Sequence, residues 1–336
     1  MVECVVIGGG PAGLSAAVQV ARLGRTCVLV DDDRGRSLWS QTTRNYLGFP
    51  DGIRAADLRL LGQRQAANHG VSLRAGHVAG LQRRPAGFAI AIEPEAPGPA
   101  TADAKPGLEI NQAREHRVAR RLGERDTHRS TVVGARTVIL ATGVADRFPA
   151  FAGRDECVGI SLFWCIVCDG YEARGRRVAV VGDDEDAVST AFFLARLSDA
   201  VTLVTDRDRS RLARSRRESL ERHGVTVIRR RVAGYDHAGG QIRELRLTGG
   251  IPPLAVDMVF VSSPRAPRTG LARRLRARRD RLGYLVVDDG MRTSVAGLYA
   301  AGDILAAHPH QVGESAATGA IAATAVNWDL MEPGAR

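Results

Sequence analysis

The chain has 336 residues, of which 44% are hydrophobic and 25% are charged, a composition that excludes collagen, coiled coil and general disorder. The 47 basic residues outnumber the 37 acidic ones, which gives a formal net charge of +10. Lys105 is the only lysine, so the excess reflects a general use of arginine, and we expect no nucleic-acid partner.

The chain shows neither a membrane-spanning pattern nor a secretory one. It contains no apolar run of about 18 residues, and Met1 leads directly into a strand pattern without a basic leader. Its 5 cysteines are an odd and sparse set that does not suit a secreted disulfide framework. We therefore expect a cytoplasmic protein that makes no membrane contact.

The first elements along the chain predict a dinucleotide-binding unit. A buried-strand pattern at 5–7 leads into a glycine turn at 8–13, and a helix pattern at 14–23 follows. The next strand pattern ends in Asp31. A strand, a glycine turn, a helix and a strand that ends in an acid about twenty residues on form the complete unit rather than a lone glycine motif.

Each residue of that turn has an expected role. Gly8 makes the turn, Gly10 lets the backbone approach a pyrophosphate, and Gly13 lets the helix pack on the strand. The helix N-terminus supplies N–H donors to the phosphates, and Asp31 accepts from the ribose hydroxyls of the adenosine.

The same unit occurs a second time, about 170 residues farther along the chain. A strand pattern at 178–181 is followed by a turn at 182–187, a helix pattern at 188–197 and a strand pattern at 200–204. This spacing predicts two domains. Strands that end at Gly143 and near Gly302 are expected to return to the first domain, while 83–131 is expected to form a surface excursion with a charged helix at 110–125.

Cys165 and Cys168 form a C-x-x-C pair that is followed directly by Asp169. A structural zinc site needs four ligands, and the other cysteines do not supply a second pair at the required spacing. A redox dithiol needs two sulfurs one short turn apart and a nearby proton donor or acceptor. We therefore predict a redox pair and no metal site.

Taken together, the motifs resemble the low-molecular-weight thioredoxin reductase family of FAD-dependent pyridine-nucleotide disulfide oxidoreductases. The resemblance covers nearly the whole chain, and its motifs are the segments 8–13, 45–50, 141–143, 165–170, 300–304 and 310–312. It implies an α/β fold of two Rossmann-like, three-layer nucleotide-binding domains, the second inserted into the first. The FAD domain would comprise 1–148 and 266–336, with a surface insertion at about 94–130, and 149–265 would form an NAD(P)H-like domain that carries the C-x-x-C pair. The family also implies a homodimer.

The resemblance also assigns roles to individual residues. Those that would bind FAD are Gly8, Gly10, Gly13, Asp31, Asn45, Thr142, Gly143, Gly302, Asp303, Gln311 and Val312. Cys168 would face the flavin as the charge-transfer thiolate, Cys165 would attack the substrate disulfide, and Asp169 would act as acid and base. The family usually has Arg where His310 stands.

The second nucleotide turn departs from the family pattern. Asp184 stands where the second glycine is expected, within an acidic run at 183–186, and Asp206 lies where the family carries a basic grip for the NADPH phosphate. Carboxylates repel a pyrophosphate, although they also stabilise a helix start by themselves.

These departures favour a thiol-disulfide oxidoreductase that contains FAD and uses NADPH poorly. Its substrate would be a thioredoxin-like protein or a small-molecule disulfide or dithiol, and its electron donor or acceptor stays open. The alternatives are a conventional NADPH-dependent thioredoxin reductase, an oxygen-dependent dithiol oxidase, and a flavin-bearing binding or regulatory protein without turnover.

Overall fold

A computed structural model describes residues 1–94, 130–206, 212–262, 265–305 and 310–331. The chain divides into two compact units, unit 1 comprising Met1–Ala145 with Arg265–Arg336 and unit 2 comprising Asp146–Pro264. The insertion predicted at about 94–130 and the helix predicted at 110–125 fall almost entirely outside the described residues.

The elements of the described residues, in chain order, are as follows. The strands are β1 (Val2–Ile7), β2 (Cys27–Asp31), β3 (Thr42–Thr43), β4 (Ile53–Arg54), β5 (Ser72–Ala75), β6 (His77–Arg84), β7 (Gly87–Glu93), β8 (Thr131–Leu140), β9 (Val144–Ala145), β10 (Leu162–Phe163), β11 (Val178–Val181), β12 (Val201–Thr205), β13 (Val225–Arg229), β14 (Val232–Ala238), β15 (Gln241–Leu247), β16 (Leu254–Ala255), β17 (Met258–Val261), β18 (Ala266–Pro267) and β19 (Leu298–Ala300). The α-helices are α1 (Pro11–Arg22), α2 (Ala55–Asn68), α3 (Arg154–Cys157), α4 (Ile166–Asp169), α5 (Glu185–Leu194), α6 (Arg214–Arg222), α7 (Gly270–Arg274) and α8 (Val312–Met331). Short 3₁₀ turns span Arg36–Trp39, Tyr171–Ala173 and Gly302–Ile304. In the described part of the chain, no helix combines the length and the apolar character that a membrane span requires.

Unit 1 is built on a seven-stranded sheet in the order β5-β2-β1-β8-β7-β6, with β19 paired to β8. β5, β2, β1, β8 and β19 run parallel to one another, whereas β7 and β6 are antiparallel to their neighbours. Parallel strands joined by crossover helices bury both faces of a sheet, which explains the continuous apolar runs of β1 and β2. The parallel part places the ends of β1, β2, β8 and β19 along one edge.

The surface excursion predicted for 83–131 is wrong for the residues of β7. β7 lies inside the seven-stranded sheet, where Phe88 and Ile90 are fully buried. Phe88, Ile90 and Ile92 alternate with smaller residues along the strand, so one face of β7 contributes to the core. β7 is therefore part of the core sheet rather than surface chain, whereas residues 83–86 before it are exposed.

Unit 2 contains a five-stranded parallel sheet in the order β10-β17-β11-β12-β13, together with a three-stranded antiparallel sheet of β14, β15 and β16. Helix α5 begins at Glu185, three residues before the predicted start, because Asp184 caps it. The α/β fold with Rossmann-like parallel cores that the sequence predicts is confirmed.

Ser161 ties the strand that precedes the cysteine pair to the antiparallel sheet of unit 2. Its hydroxyl donates to the carbonyl of Gly240 at 2.7 Å and accepts from the N–H of Ile242 at 3.0 Å. The side chain is fully buried, so no water replaces either bond.

We expect Ser161→Ala to lower the free energy of unfolding of unit 2 by about 2–4 kcal/mol, because it leaves a buried N–H and a buried carbonyl unsatisfied. Ser215→Ala on the exposed surface of α6 is the matched control, with an expected change within about 0.5 kcal/mol. Urea denaturation followed by circular dichroism checks both, and equal effects would contradict the role given to Ser161.

Candidate functional site

The turn between β1 and α1 depends on two glycines. Gly8 adopts a φ of +108°, a conformation that L side chains rarely adopt, and its N–H donates to Val30 at 2.8 Å. A Cβ at Gly13 would overlap the carbonyl oxygen of Gly8. Both residues therefore allow α1 to begin immediately against the end of β1.

Gly10 leaves the N-terminus of α1 open. It is the N-cap residue, no side chain caps the helix, and the first turn contains no acidic residue. A Cβ at Gly10 would meet nothing within 4 Å. The free N–H groups of the first turn consequently face space that an anion such as a pyrophosphate can enter.

Asp31 ends β2 beside this turn. Its Oδ1 accepts from the N–H of Gly9 at 2.9 Å, and its Oδ2 forms an ion pair with Arg59. Burial raises the pKa of the Asp31 carboxyl, and the charge of Arg59 opposes that rise. The carboxylate lies where a strand-end acid meets a ribose in dinucleotide-binding units.

Asp303 is held from two directions within unit 1. Arg36 pairs with its Oδ2 at 2.9 Å, and the Ser315 hydroxyl donates to its Oδ1 at 3.1 Å. Gly302, directly before it, is buried and donates its N–H to the Thr318 hydroxyl at 2.9 Å. Sequence reasoning missed Arg36, because the two partners lie 267 residues apart and nothing local marks the pair.

The structure brings Asn45 and Gln311 into contact, with the Asn45 Nδ2 donating to the Gln311 Oε1 at 2.7 Å. Val312 is the first residue of α8. Thr142 and Gly143 follow β8, and both bond to Arg268, through the Thr142 hydroxyl at 2.8 Å and the Gly143 carbonyl at 2.9 Å. These predicted residues all belong to unit 1.

Cys165 and Cys168 form a disulfide in unit 2, with their Cα atoms 5.3 Å apart. Cys165 is the N-cap residue of α4, and its sulfur accepts from the N–H of Cys168 at 3.2 Å. Cys165 is 7% exposed, Cys168 is half-buried, and Val167 between them is exposed. Asp169 is the last residue of α4 and is half-buried.

Gly170 lets the cysteine turn pack on α5, a role that the motif alone does not reveal. A Cβ at this position would overlap the carbonyl oxygen of Ile166 and would lie 2.9 Å from Cε1 of Phe193. Any larger residue would therefore push α4 away from α5 or distort the turn.

The corresponding turn of unit 2 is filled by its own side chain. Asp184 is the N-cap residue of α5, and its Oδ1 accepts from the N–H of Ala187 at 2.9 Å and from the Ser262 hydroxyl at 2.7 Å. Glu185 and Asp186 occupy the first turn of the same helix. The N–H groups that face open space in unit 1 here meet carboxylates.

The two turns also differ at the end of the second strand. In unit 2 the loop residue Asp183 accepts from the Thr205 hydroxyl, at the end of β12, and from the N–H of Asp206 at 2.7 Å. In unit 1 the strand-end Asp31 accepts from the loop N–H of Gly9. The acceptor carboxylate thus lies at the strand end in unit 1 and in the loop in unit 2. β12 therefore ends in Thr205, without the carboxylate that a ribose needs.

The chain matches the family described as pyridine nucleotide-disulphide oxidoreductase over residues 2–323. The chain belongs to this family. A curated relative, the thioredoxin reductase of Treponema pallidum (strain Nichols), is 28% identical over 333 residues, which cover 96% of this chain and 95% of the relative.

Solved structures agree with this assignment. The crystal structure of HlmI has a TM-score of 0.80 and 28% identity, and the match covers 98% of this chain and 92% of that chain. Thioredoxin reductase from Streptococcus pyogenes MGAS5005 has a TM-score of 0.79 and 24% identity, with 98% of each chain covered, and this likeness concerns the fold. The chain is therefore a flavin-dependent disulfide oxidoreductase of the thioredoxin reductase type.

FAD is the cofactor of thioredoxin reductases, and the turn of unit 1 fits its pyrophosphate. The fit rests on the space above Gly10, on the uncapped N–H groups of α1 and on the Asp31 carboxylate beside them. The turn of unit 2 fails the same test, since Asp184 occupies the equivalent position.

Gly10→Asp should convert the turn of unit 1 into that of unit 2. The backbone at Gly10 has a φ of −74°, which any residue adopts, so the fold should persist while FAD binding falls by orders of magnitude through carboxylate–phosphate repulsion. FAD content after gel filtration and the flavin absorbance measure the loss. Gly10→Ala, which adds a methyl group without charge, should retain more FAD, and equal losses would show that size rather than charge decides.

Proposed function

We propose that the chain passes electrons between FAD and a substrate disulfide or dithiol through Cys165 and Cys168, and that it uses NADPH inefficiently. The observation that carries the second part is the capping of α5 by Asp184. The roles of the individual FAD-contacting residues named from the resemblance form part of the same proposal.

FAD supplies a two-electron acceptor or donor when it is bound, and the protein supplies the dithiol. In the reducing direction the Cys165 thiolate attacks the substrate disulfide, which forms a mixed disulfide and releases one substrate thiolate that takes up a proton. The Cys168 thiolate then attacks the Cys165 sulfur, which releases the second substrate thiol and restores the Cys165–Cys168 disulfide. Two electrons and two protons thus reach the substrate, and the oxidising direction is the reverse.

The hydrogen bond at Cys165 supports its role as the attacking sulfur. The N–H of Cys168 points at the Cys165 sulfur in the disulfide, and the same donor stabilises a thiolate there after reduction. Asp169 follows Cys168 directly and is the carboxylate in the motif that is proposed to exchange the protons. Cys165 is 7% exposed in the disulfide, so the attack requires that the reduced turn opens toward the substrate.

The electrostatics of the second turn support the proposal on NADPH. A carboxylate about 4–6 Å from a phosphate, at an effective dielectric near 20, opposes binding by about 3–4 kcal/mol before salt screening. Glu185 forms an ion pair with Arg216 at 3.2 Å, whereas the hydrogen bonds to Asp183 and Asp184 come from neutral groups. The combined field of these carboxylates disfavours a pyrophosphate of either nicotinamide dinucleotide.

The substrate is proposed to be a thioredoxin-like protein or a small-molecule disulfide or dithiol. The homodimer and the cytoplasmic location stay predictions from the sequence. With NADPH disfavoured, two routes for the electrons are open. They enter from another reduced carrier and reach a substrate disulfide, or they enter from a dithiol substrate and pass to dioxygen. An anaerobic titration distinguishes these routes.

Anaerobic NADPH should reduce the flavin very slowly, whereas dithiothreitol should reduce it readily, since a dithiol delivers electrons through Cys165 and Cys168 without the second turn. Stopped-flow absorbance of the flavin, with NADPH, NADH, dithiothreitol and reduced ferredoxin in parallel, measures the rates. Rapid and saturable reduction by micromolar NADPH would return the protein to the conventional thioredoxin reductases.

A repaired turn provides the matched variant. Asp184→Gly combined with Asp206→Arg removes the cap and two negative charges, adds a cation, and should yield measurable NADPH reduction. Asp199→Gly, which removes a carboxylate from an exposed position away from the turn, should leave the slow rate unchanged.

The order of the two sulfurs is tested by single substitutions. Cys165→Ser should leave a stable Cys168 thiolate and a long-wavelength absorption band with oxidised flavin, whereas Cys168→Ser should lack that band. Absorption spectra of the two variants measure the difference. If Cys168→Ser shows the band instead, the roles of the two sulfurs are reversed. Stoichiometric zinc in elemental analysis would contradict the redox role of the pair.

A further inference from the structure

Three successive carboxylates, Asp31, Asp32 and Asp33, lie at the end of β2 and directly after it, and one buried arginine joins two of them. Arg59 lies on α2 with a side chain that is 4% exposed, and it forms ion pairs with both Asp31 and Asp33. The residue between them, Asp32, pairs with His77 at 3.1 Å on the outer side. The three carboxylates are thus contacted by side chains from two different elements, Arg59 of α2 and His77 of β6.

The Arg59 bridge fixes the backbone as well as the charges. Asp33 adopts a φ of +55°, which an L residue adopts only when its surroundings favour it. Arg59 binds the side chain of that residue and, at the same time, the Oδ2 of Asp31. The other oxygen of Asp31 is held by the N–H of Gly9, in the FAD turn itself. One guanidinium therefore links α2, the end of β2 and the glycine turn.

Burial works against a charged Asp31. Desolvation raises the pKa of its carboxyl, the Arg59 guanidinium lowers it, and the neighbouring carboxylates raise it again. Further out, β5 presents Arg74 opposite Val30, and His77 follows at the start of β6. Of these three side chains, Arg59 is the one in direct contact with the Asp31 carboxylate.

We propose that Arg59 is a positioning residue for FAD that acts through Asp31, which it holds ionised and aimed at the adenosine ribose. The inference rests on the proposed binding of FAD at the unit 1 turn. A ribose hydroxyl donates most strongly to an ionised carboxylate, and a cation in contact favours the ionised form of a buried carboxylate. The acid at the strand end therefore serves this site only together with Arg59.

The test measures FAD affinity against pH in the full chain, with Arg59→Met as the variant. Without the guanidinium the pKa of Asp31 rises further, so Asp31 becomes protonated, and loses its strong acceptor, at a higher pH than in the parent. From about pH 8 to about pH 5, we expect FAD affinity to fall at least about tenfold more in Arg59→Met than in the parent. Fluorescence of released flavin at a series of protein concentrations gives the dissociation constants.

Arg64→Met provides the matched control, because Arg64 is an exposed arginine on the same helix, and its pH profile should follow the parent. Asp31→Asn should bind FAD weakly with a flat pH profile, since the titrating group is gone, and adding Arg59→Met to it should restore no pH dependence. The Asp31→Asn profile tests the proposal even if Arg59→Met alone does not fold.

Two results would overturn the role of Arg59. The first is an equal loss of affinity at every pH in Arg59→Met, which would indicate a structural role alone. The second is a steep acid decline that persists in Asp31→Asn, which would place the titrating group elsewhere. A parent chain that binds no FAD would instead contradict the proposed function, so the two failures are distinguishable.

Discussion

The N–H groups in the first turn of a helix require an acceptor, and both Rossmann-like units of this chain present that requirement directly after a strand. At the turn of unit 1 no side chain meets it, so the donors face space above Gly10. At the turn of unit 2 the Asp184 carboxylate meets it from within. The two strand-to-helix turns therefore differ in whether a side chain of the protein supplies the acceptor, and the proposed division of function between the units rests on this difference.

Helix α5 connects the two functional features of unit 2. Its N-terminal turn carries the acidic cap, and Phe193 in its last turn packs beside Gly170, which follows the redox cysteines. The same helix therefore carries the acidic cap at one end and supports the dithiol at the other. The carboxylates that would disfavour a pyrophosphate at this turn also stabilise the N-terminus of α5.

The sequence predicted the features that depend on short-range patterns. The glycine turn, the strand-end Asp31 and the Cys165–Cys168 pair each lie within a few residues of the pattern that identifies them, and the α/β fold and the disulfide are found in the structure. The predicted start of α5 lies three residues after the observed start at Glu185. The acidic run is as typical of a turn as of a helix N-terminus, and only the structure shows that Asp184 is the cap.

Features that depend on distant partners were not predictable. Nothing in the sequence distinguishes Arg59 from the other polar residues of α2. Only the fold places it in contact with Asp31 at the end of β2. Arg36 meets Asp303 in the same way, across most of the chain. The surface prediction was wrong for 87–93, because a short apolar alternation is common to edge strands and core strands, and β7 pairs with β8, which lies far along the sequence.

The pairing of β7 with β8 has a consequence for the connection between these two strands. Ile92 lies opposite Thr131, so the chain leaves the sheet and re-enters it at adjacent positions. A connection between neighbouring ends of an antiparallel pair closes at a cost that grows only slowly with its length, by about 0.6 kcal/mol for each doubling. The sheet of unit 1 therefore constrains where this connection begins and ends, and it places little constraint on the connection's length.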